Sequence, residues 1–246
     1  MANSLLPARA GELVRTYALG ELHMVSKMFS LGTLAVEHVA DGITLLGILV
    51  LAEMLLGVNG ALRTLGLLTA PVFAVALAVV VAAVALPNPS ERMAARMVSP
   101  LPDRLRDSAE RFVSAFVAGL GSLRHVPLLA GVLGTSVIAW GMEGAVYALV
   151  GMSLGIHIGF GYYLLAAAAA NLALTAPSSQ GGIGPFEFFA AQALIAAGMG
   201  NSAAVAFALA THAVVILPVS VLGLIFVWWI GRVPFSSERD KWHSAI

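Results

Sequence analysis

Long apolar runs, each closed by proline, glycine or a charged stretch, set the rhythm of this chain. A transmembrane helix needs about 20 mostly apolar residues. Residues 33–56 form the first such run, with Glu37, Asp41 and Glu53 embedded in it, and residues 65–86 form a cleaner second one, closed by Pro87 and Pro89. A polar stretch follows up to Arg124; within it, residues 106–123 alternate charged and apolar positions at helical spacing and predict an amphipathic helix lying at the interface. Residues 127–150 make the third span and residues 158–176 the fourth, which stops at Pro177. Residues 186–197 are apolar but too short to span comfortably alone, and residues 203–230 form the last run, with a kink expected at Pro218.

The expected fold is therefore all-α, a polytopic transmembrane helical bundle with about six membrane-crossing segments, two of them a broken or re-entrant pair. Its parts are an N-terminal interfacial or partly embedded segment (1–32), two transmembrane helices (33–86), a basic loop (87–126), a bundle broken at 177–185 (127–231), and a tail (232–246). Whether 158–176 and 186–197 each cross or dip in as a re-entrant pair is open at this level.

Composition strengthens the assignment. Only 11% of the 246 residues are charged, and 59% are hydrophobic, against roughly 25% charged in a soluble domain. Between His125 and Gly231 the only formal charges are Glu143 and Glu187. Such a stretch suits a hydrocarbon solvent, which needs no charged exterior. There is no cysteine and the formal net charge is zero, so thiol chemistry is excluded and the total charge selects no partner. No phosphate-cradling glycine loop, metal-ligand cluster or basic–aromatic interleave supports a nucleotide, metal or nucleic-acid reading, and no cofactor is expected. The start lacks the basic-then-apolar pattern of a cleaved signal peptide.

Lysine and arginine orient the bundle. Arg9, Arg15 and Lys27 precede the first span, six arginines populate the long loop, and Arg232, Arg239 and Lys241 follow the last span. Placing these inside predicts a multi-pass cell-membrane protein with both termini cytoplasmic.

The candidate chemistry gathers at the break. Ser178, Ser179, Gln180, Gly181, Gly182 and Gly184 lie between Pro177 and Pro185. Unpaired backbone in hydrocarbon costs several kcal/mol per group, so an irregular segment at depth is held by protein or lines a polar cavity. Half-helix ends of this kind often mark substrate sites; the plainer reading is a surface loop joining two ordinary helices. Glu187, just inside the following helix, is either a first-turn residue favoured by the helix dipole or a buried acid with a functional role. Glu143 lies deep in the third span. Glu37 and Asp41, four apart, share a helix face, either wetted at the interface or facing Arg9 or Arg15 within the bundle. His212 reads as a hydrogen-bonded packing residue or a proton relay. Trp228 and Trp229 read as an interfacial anchor, and the alanines from Ala166 to Ala170 as close helix packing.

Three segments resemble the lysylphosphatidylglycerol synthase/flippase transmembrane family. Leu5-Leu6-Pro7-Ala8-Arg9-Ala10-Gly11-Glu12-Leu13-Val14-Arg15 is similar to its N-terminal signature. The stretch from Pro177 to Glu187 is similar to its Pro–Gly–Gly–x–Gly–x–x–Glu pattern, with Gln180 where proline is common. Val36-Glu37-His38-Val39-Ala40-Asp41-Gly42 resembles its Glu-Arg-x-x-Asp element, with His38 in place of arginine.

The resemblance implies a module that binds a polar-headgroup lipid and moves it between leaflets. The broken helix would be the headgroup site, with Glu187 and Glu143 meeting a cationic group or arginines of the module, and Arg9, Glu12 and Arg15 contacting phosphate or closing the cytoplasmic side. It also implies one or two helices ahead of Leu5. The few residues after Arg232 leave no room for the aminoacyl-transferring domain of some members, so synthase activity is not expected. The implied partners are membrane lipids, with a homo-oligomer or a separate membrane or lipid-modifying protein as further companions. Two rivals remain: a non-transporting membrane subunit or anchor for a lipid-modifying enzyme, and an intramembrane hydrolase using Ser178 or Ser179 with His212 as base.

Overall fold

The computed structural model describes residues 27–58, 60–85, 106, 126–175 and 180–230. Six α-helices lie among them: α1 (Lys27–Leu56), α2 (Ala61–Ala85), α3 (Val126–Ser153), α4 (Phe160–Ala173), α5 (Pro185–Ala196) and α6 (Asn201–Ile230). No strand occurs among the described residues. The all-α bundle expected from the apolar runs is the fold observed.

Four of these helices contain stretches long and apolar enough to cross a bilayer: Glu37–Leu56, Ala61–Val79, Pro127–Ser153 and Asn201–Ile225. The other two differ in kind. With 14 and 12 residues, α4 and α5 are about 21 and about 18 Å long, short of a hydrocarbon core of about 30 Å. The structure thus has four span-length helices and a short pair where about six crossings were expected.

The short pair sits at the centre. α4 and α5 pack most extensively on each other; α1 and α3 cover α4, and α6 covers α5. Ala166, Ala167, Ala168, Ala169 and Ala170 are all buried, as are Leu165, Leu172, Ala190, Ala193 and Leu194. Five successive buried residues sweep through more than a full helical turn, so no face of α4 meets solvent or lipid there. Alanine at these places lets neighbouring backbones come close, the usual device of packing inside membranes. The same economy operates on α3, where a side chain at Gly144 would collide with Leu164 of α4.

The long helices are apolar on their outer faces as well. Leu67, Leu68, Val72 and Val75 of α2 and Leu217, Leu222 and Leu224 of α6 are exposed, an arrangement suited to lipid rather than water. Pro71 and Pro218 lie inside continuous α2 and α6, and the aromatic core links Tyr147 of α3 to Phe186 of α5 and Phe207 of α6 at centroid distances of 6.3 and 6.2 Å. The expected interfacial segment at the N-terminus up to residue 26, the amphipathic helix at 106–123 (apart from Arg106) and the tail lie outside the described residues.

Candidate functional site at the broken helix

α4 stops cleanly. The amides of Leu174 and Thr175 bond back to the carbonyls of Asn171 and Leu172, and the Thr175 hydroxyl donates to the Leu172 carbonyl at 2.7 Å. The described chain resumes in a 3-10 turn, Gln180–Gly182, in which Gly181 has φ 71°. Gly182 follows at φ 74°, and a Cβ there would run into the side chain of Leu174. Backbone conformation and close approach to the end of α4 therefore both require glycine at this position.

Gly184, at φ 100°, is the N-cap of α5, and Pro185 occupies the first turn, where its missing N–H costs nothing. A glycine cap has no side chain to offer the free amides of the first turn. Glu187 supplies the contact from the other direction: its Oε2 accepts the Gly184 N–H at 2.7 Å.

The remaining partner comes from α6. The two ring nitrogens of His212 face Glu187 Oε1 (Nδ1, 2.5 Å) and the Gly181 carbonyl (Nε2, 2.9 Å). The ring stacks on Phe186 with centroids 4.1 Å apart and planes 19° from parallel. One imidazole thus ties the turn, the start of α5 and the middle of α6 together. A carbonyl only accepts, so Nε2 carries a hydrogen. The Nδ1–Oε1 contact then holds one proton, on the ring or on the carboxyl, and the pair is neutral overall in either placement. Both sides are sheltered, with side-chain exposures of 8% for His212 and 16% for Glu187.

A second acid is held differently. Asp41 of α1 accepts from the Ser136 hydroxyl at 2.6 Å and the Trp140 indole N–H at 3.1 Å, both at Oδ1 and both from α3. Glu37, one turn earlier, is exposed.

Glu143 of α3 is half-buried. Its electrostatic neighbour is Tyr147, one turn on, whose hydroxyl also lies near Asn171 of α4. That hydroxyl is buried without a partner of normal hydrogen-bond geometry, and so is Thr211 Oγ1 on α6. Among the described residues no group of three His, Asp or Glu side chains is placed to hold a metal.

Of the residues singled out from sequence, Gly181, Gly184 and Glu187 come together around His212, and Gly182 shares their loop. Asp41 and Glu143 lie on helices that pack beside α4 but belong to separate polar contacts. Arg9, Glu12, Arg15, Ser178 and Ser179 lie outside the described residues, and of Gln180 only the backbone is described. Sequence reasoning left His212 open between packing and relay and did not single out Ser136 or Trp140. The one signal for His212 was scarcity, a lone histidine in an otherwise uncharged last span.

The sequence model of the family described as Lysylphosphatidylglycerol synthase TM region matches residues 1–223, and the chain belongs to that family. No curated protein matches the chain, and no solved structure does.

Proposed function

From membership of that family, we propose that the protein binds a polar-headgroup lipid and carries it across the bilayer, with the broken segment between α4 and α5 as the headgroup site. The observation carrying this reading is the central pair of helices too short to span, meeting at an irregular loop whose polar groups are held by side chains within the bundle. Discontinuous helices surrounded by complete ones are how transporters bring backbone polar groups to mid-membrane depth. On this reading α4 and α5 form a re-entrant pair, and the basic segments place both termini on the cytoplasmic side of the cell membrane.

A transport role fits better than catalysis. Both ring nitrogens of His212 are engaged, at Glu187 and at Gly181, which leaves no free nitrogen to act as base for a serine at 178 or 179.

The test is movement of a fluorescent phospholipid, with plain or aminoacylated headgroup, in proteoliposomes. Glu187→Ala removes the acceptor of the Gly184 amide and the partner of His212 together. It is expected to slow translocation by roughly tenfold or more at matched reconstitution, one lost buried hydrogen-bonded contact being worth about that factor. The lipid-facing change Leu68→Ala is the control. Wild-type rates in Glu187→Ala sink the site assignment; no translocation by folded wild type favours a subunit that works only with a partner.

A further inference from the structure

We infer that His212 is a positioning residue that latches the broken loop shut through a single proton shared with Glu187, so that the loop is closed with that proton in place and released without it.

In the closed loop the Gly181 carbonyl demands a hydrogen on Nε2, and the Gly184 N–H demands an acceptor at Oε2. Those two demands leave only the Nδ1–Oε1 position for a titrating proton. Remove it, and a ring lone pair faces a carboxylate oxygen at hydrogen-bond distance, two acceptors with nothing between them. Add a second proton, and an O–H must point either at the Nδ1 hydrogen or at the Gly184 amide. The closed geometry therefore suits one proton, and both the deprotonated and the doubly protonated pair open it.

Few other ionisable groups lie on the neighbouring described helices. The ionisable side chains on the helices packed against α5 and α6 are Arg63 of α2, Glu143 and Tyr147 of α3, and Tyr162 and Tyr163 of α4. The hydrogen bonds of the pair run instead to Gly184 and Gly181. The Phe186 ring stacks on one face of the imidazole.

The sign follows by linkage. Apart from each other, a histidine and a glutamate above neutrality hold no proton between them, whereas the closed pair holds one. Closing takes up a proton, and raising the pH above the pair's own titration opens the loop by up to about tenfold per pH unit.

The latch is a property of the loop itself and is read without any lipid, so its failure and that of the transport reading are separate results. The measurement is hydrogen–deuterium exchange of residues 181–188 in the full chain in lipid nanodiscs. Protection is corrected for intrinsic exchange and followed from about pH 5 to about pH 9, the range spanning ordinary histidine titration. Wild type is expected to lose protection in this loop as pH rises, with α3 unchanged as the folding control.

Glu187→Gln is the decisive variant. Its amide nitrogen can donate to a bare Nδ1 and its oxygen can accept the Gly184 N–H, so the loop stays closed around a neutral ring and its protection no longer falls as pH rises. His212→Gln keeps a donor for the Gly181 carbonyl but loses Glu187, giving lower protection that is flat with pH. Flat protection in wild type, or a loss of protection with rising pH that survives in Glu187→Gln, overturns the inference. Should Glu187→Gln not fold, imidazole nitrogen NMR of wild type decides: the latch requires Nε2 to be protonated in the closed loop, on the low-pH side of the transition, and a bare Nε2 there overturns it.

Discussion

Asp41 and Glu187 are both carboxylic acids within the bundle, and the protein accommodates them in different ways. Asp41 joins two continuous helices, α1 and α3, through a hydroxyl and an indole N–H. Those donors are neutral, and the contact fastens α1 to α3 without a charged partner. Glu187 joins a broken segment to α6 through an amide and an imidazole. One partner is backbone and the other is an imidazole on a different helix, so the contact joins a loop to α6 rather than one continuous helix to another. The difference teaches that burial of an acid does not by itself mark a site; the nature of its donors says whether it is a fastening or a movable part.

Removing the imidazole gives the largest expected effect. His212→Ala leaves the Glu187 carboxyl and the Gly181 carbonyl without their partner. Breaking a fully buried pair costs roughly 3–5 kcal/mol; the 16% exposure of Glu187 lowers the expectation to about 2–3 kcal/mol. Thermal unfolding in nanodiscs measures it, and a loss below that of Asp41→Ala would reverse the ranking of the two contacts.

Asp41→Ala comes next. It strands a hydroxyl and an indole N–H that remain able to find other partners, for about 1–2 kcal/mol. Lipid translocation is expected to fall only as far as folded protein is lost. A transport defect in fully folded Asp41→Ala would move Asp41 from fastening to site.

The smallest effect belongs to Asp41→Asn. The amide oxygen still accepts from Ser136 and Trp140, so stability should change by less than about 1 kcal/mol and equally at every pH. A pH-dependent difference between this variant and wild type would erase the distinction.

Much of the fold was legible because a bilayer imposes length and apolarity together. The spans at 127–150 and 203–230 lie inside the observed Val126–Ser153 and Asn201–Ile230, and the short helix at 186–197 is displaced by one residue at each end. α1 begins six residues before the apolar run at 33. Hydropathy marks only the part of a helix that meets lipid, while helical hydrogen bonding continues into its polar end.

The candidate site was half legible. Glu187 stood out as an acid beside a glycine-rich break, a signal contained within one segment. Its partner His212 lies 25 residues away on another helix, and the partners of Asp41 lie 95 and 99 residues away. Packing makes those juxtapositions and no local spacing encodes them. The arginines at 9 and 15 were the natural sequence-level partners for Asp41, whereas its described contacts are to a serine and a tryptophan. Neutral donors leave no charge pattern in a sequence.

The alanine run of α4 has a consequence for biogenesis. A segment of 14 residues is too short to sit across a bilayer as an independent first-stage helix, and its enclosed middle, Leu165 to Ala170, has little to present to lipid when it arrives. The surroundings that suit it are supplied by α1, α3 and α5. A helix of this kind is expected to depend on its neighbours for insertion, where the span-length helices around it depend only on the bilayer.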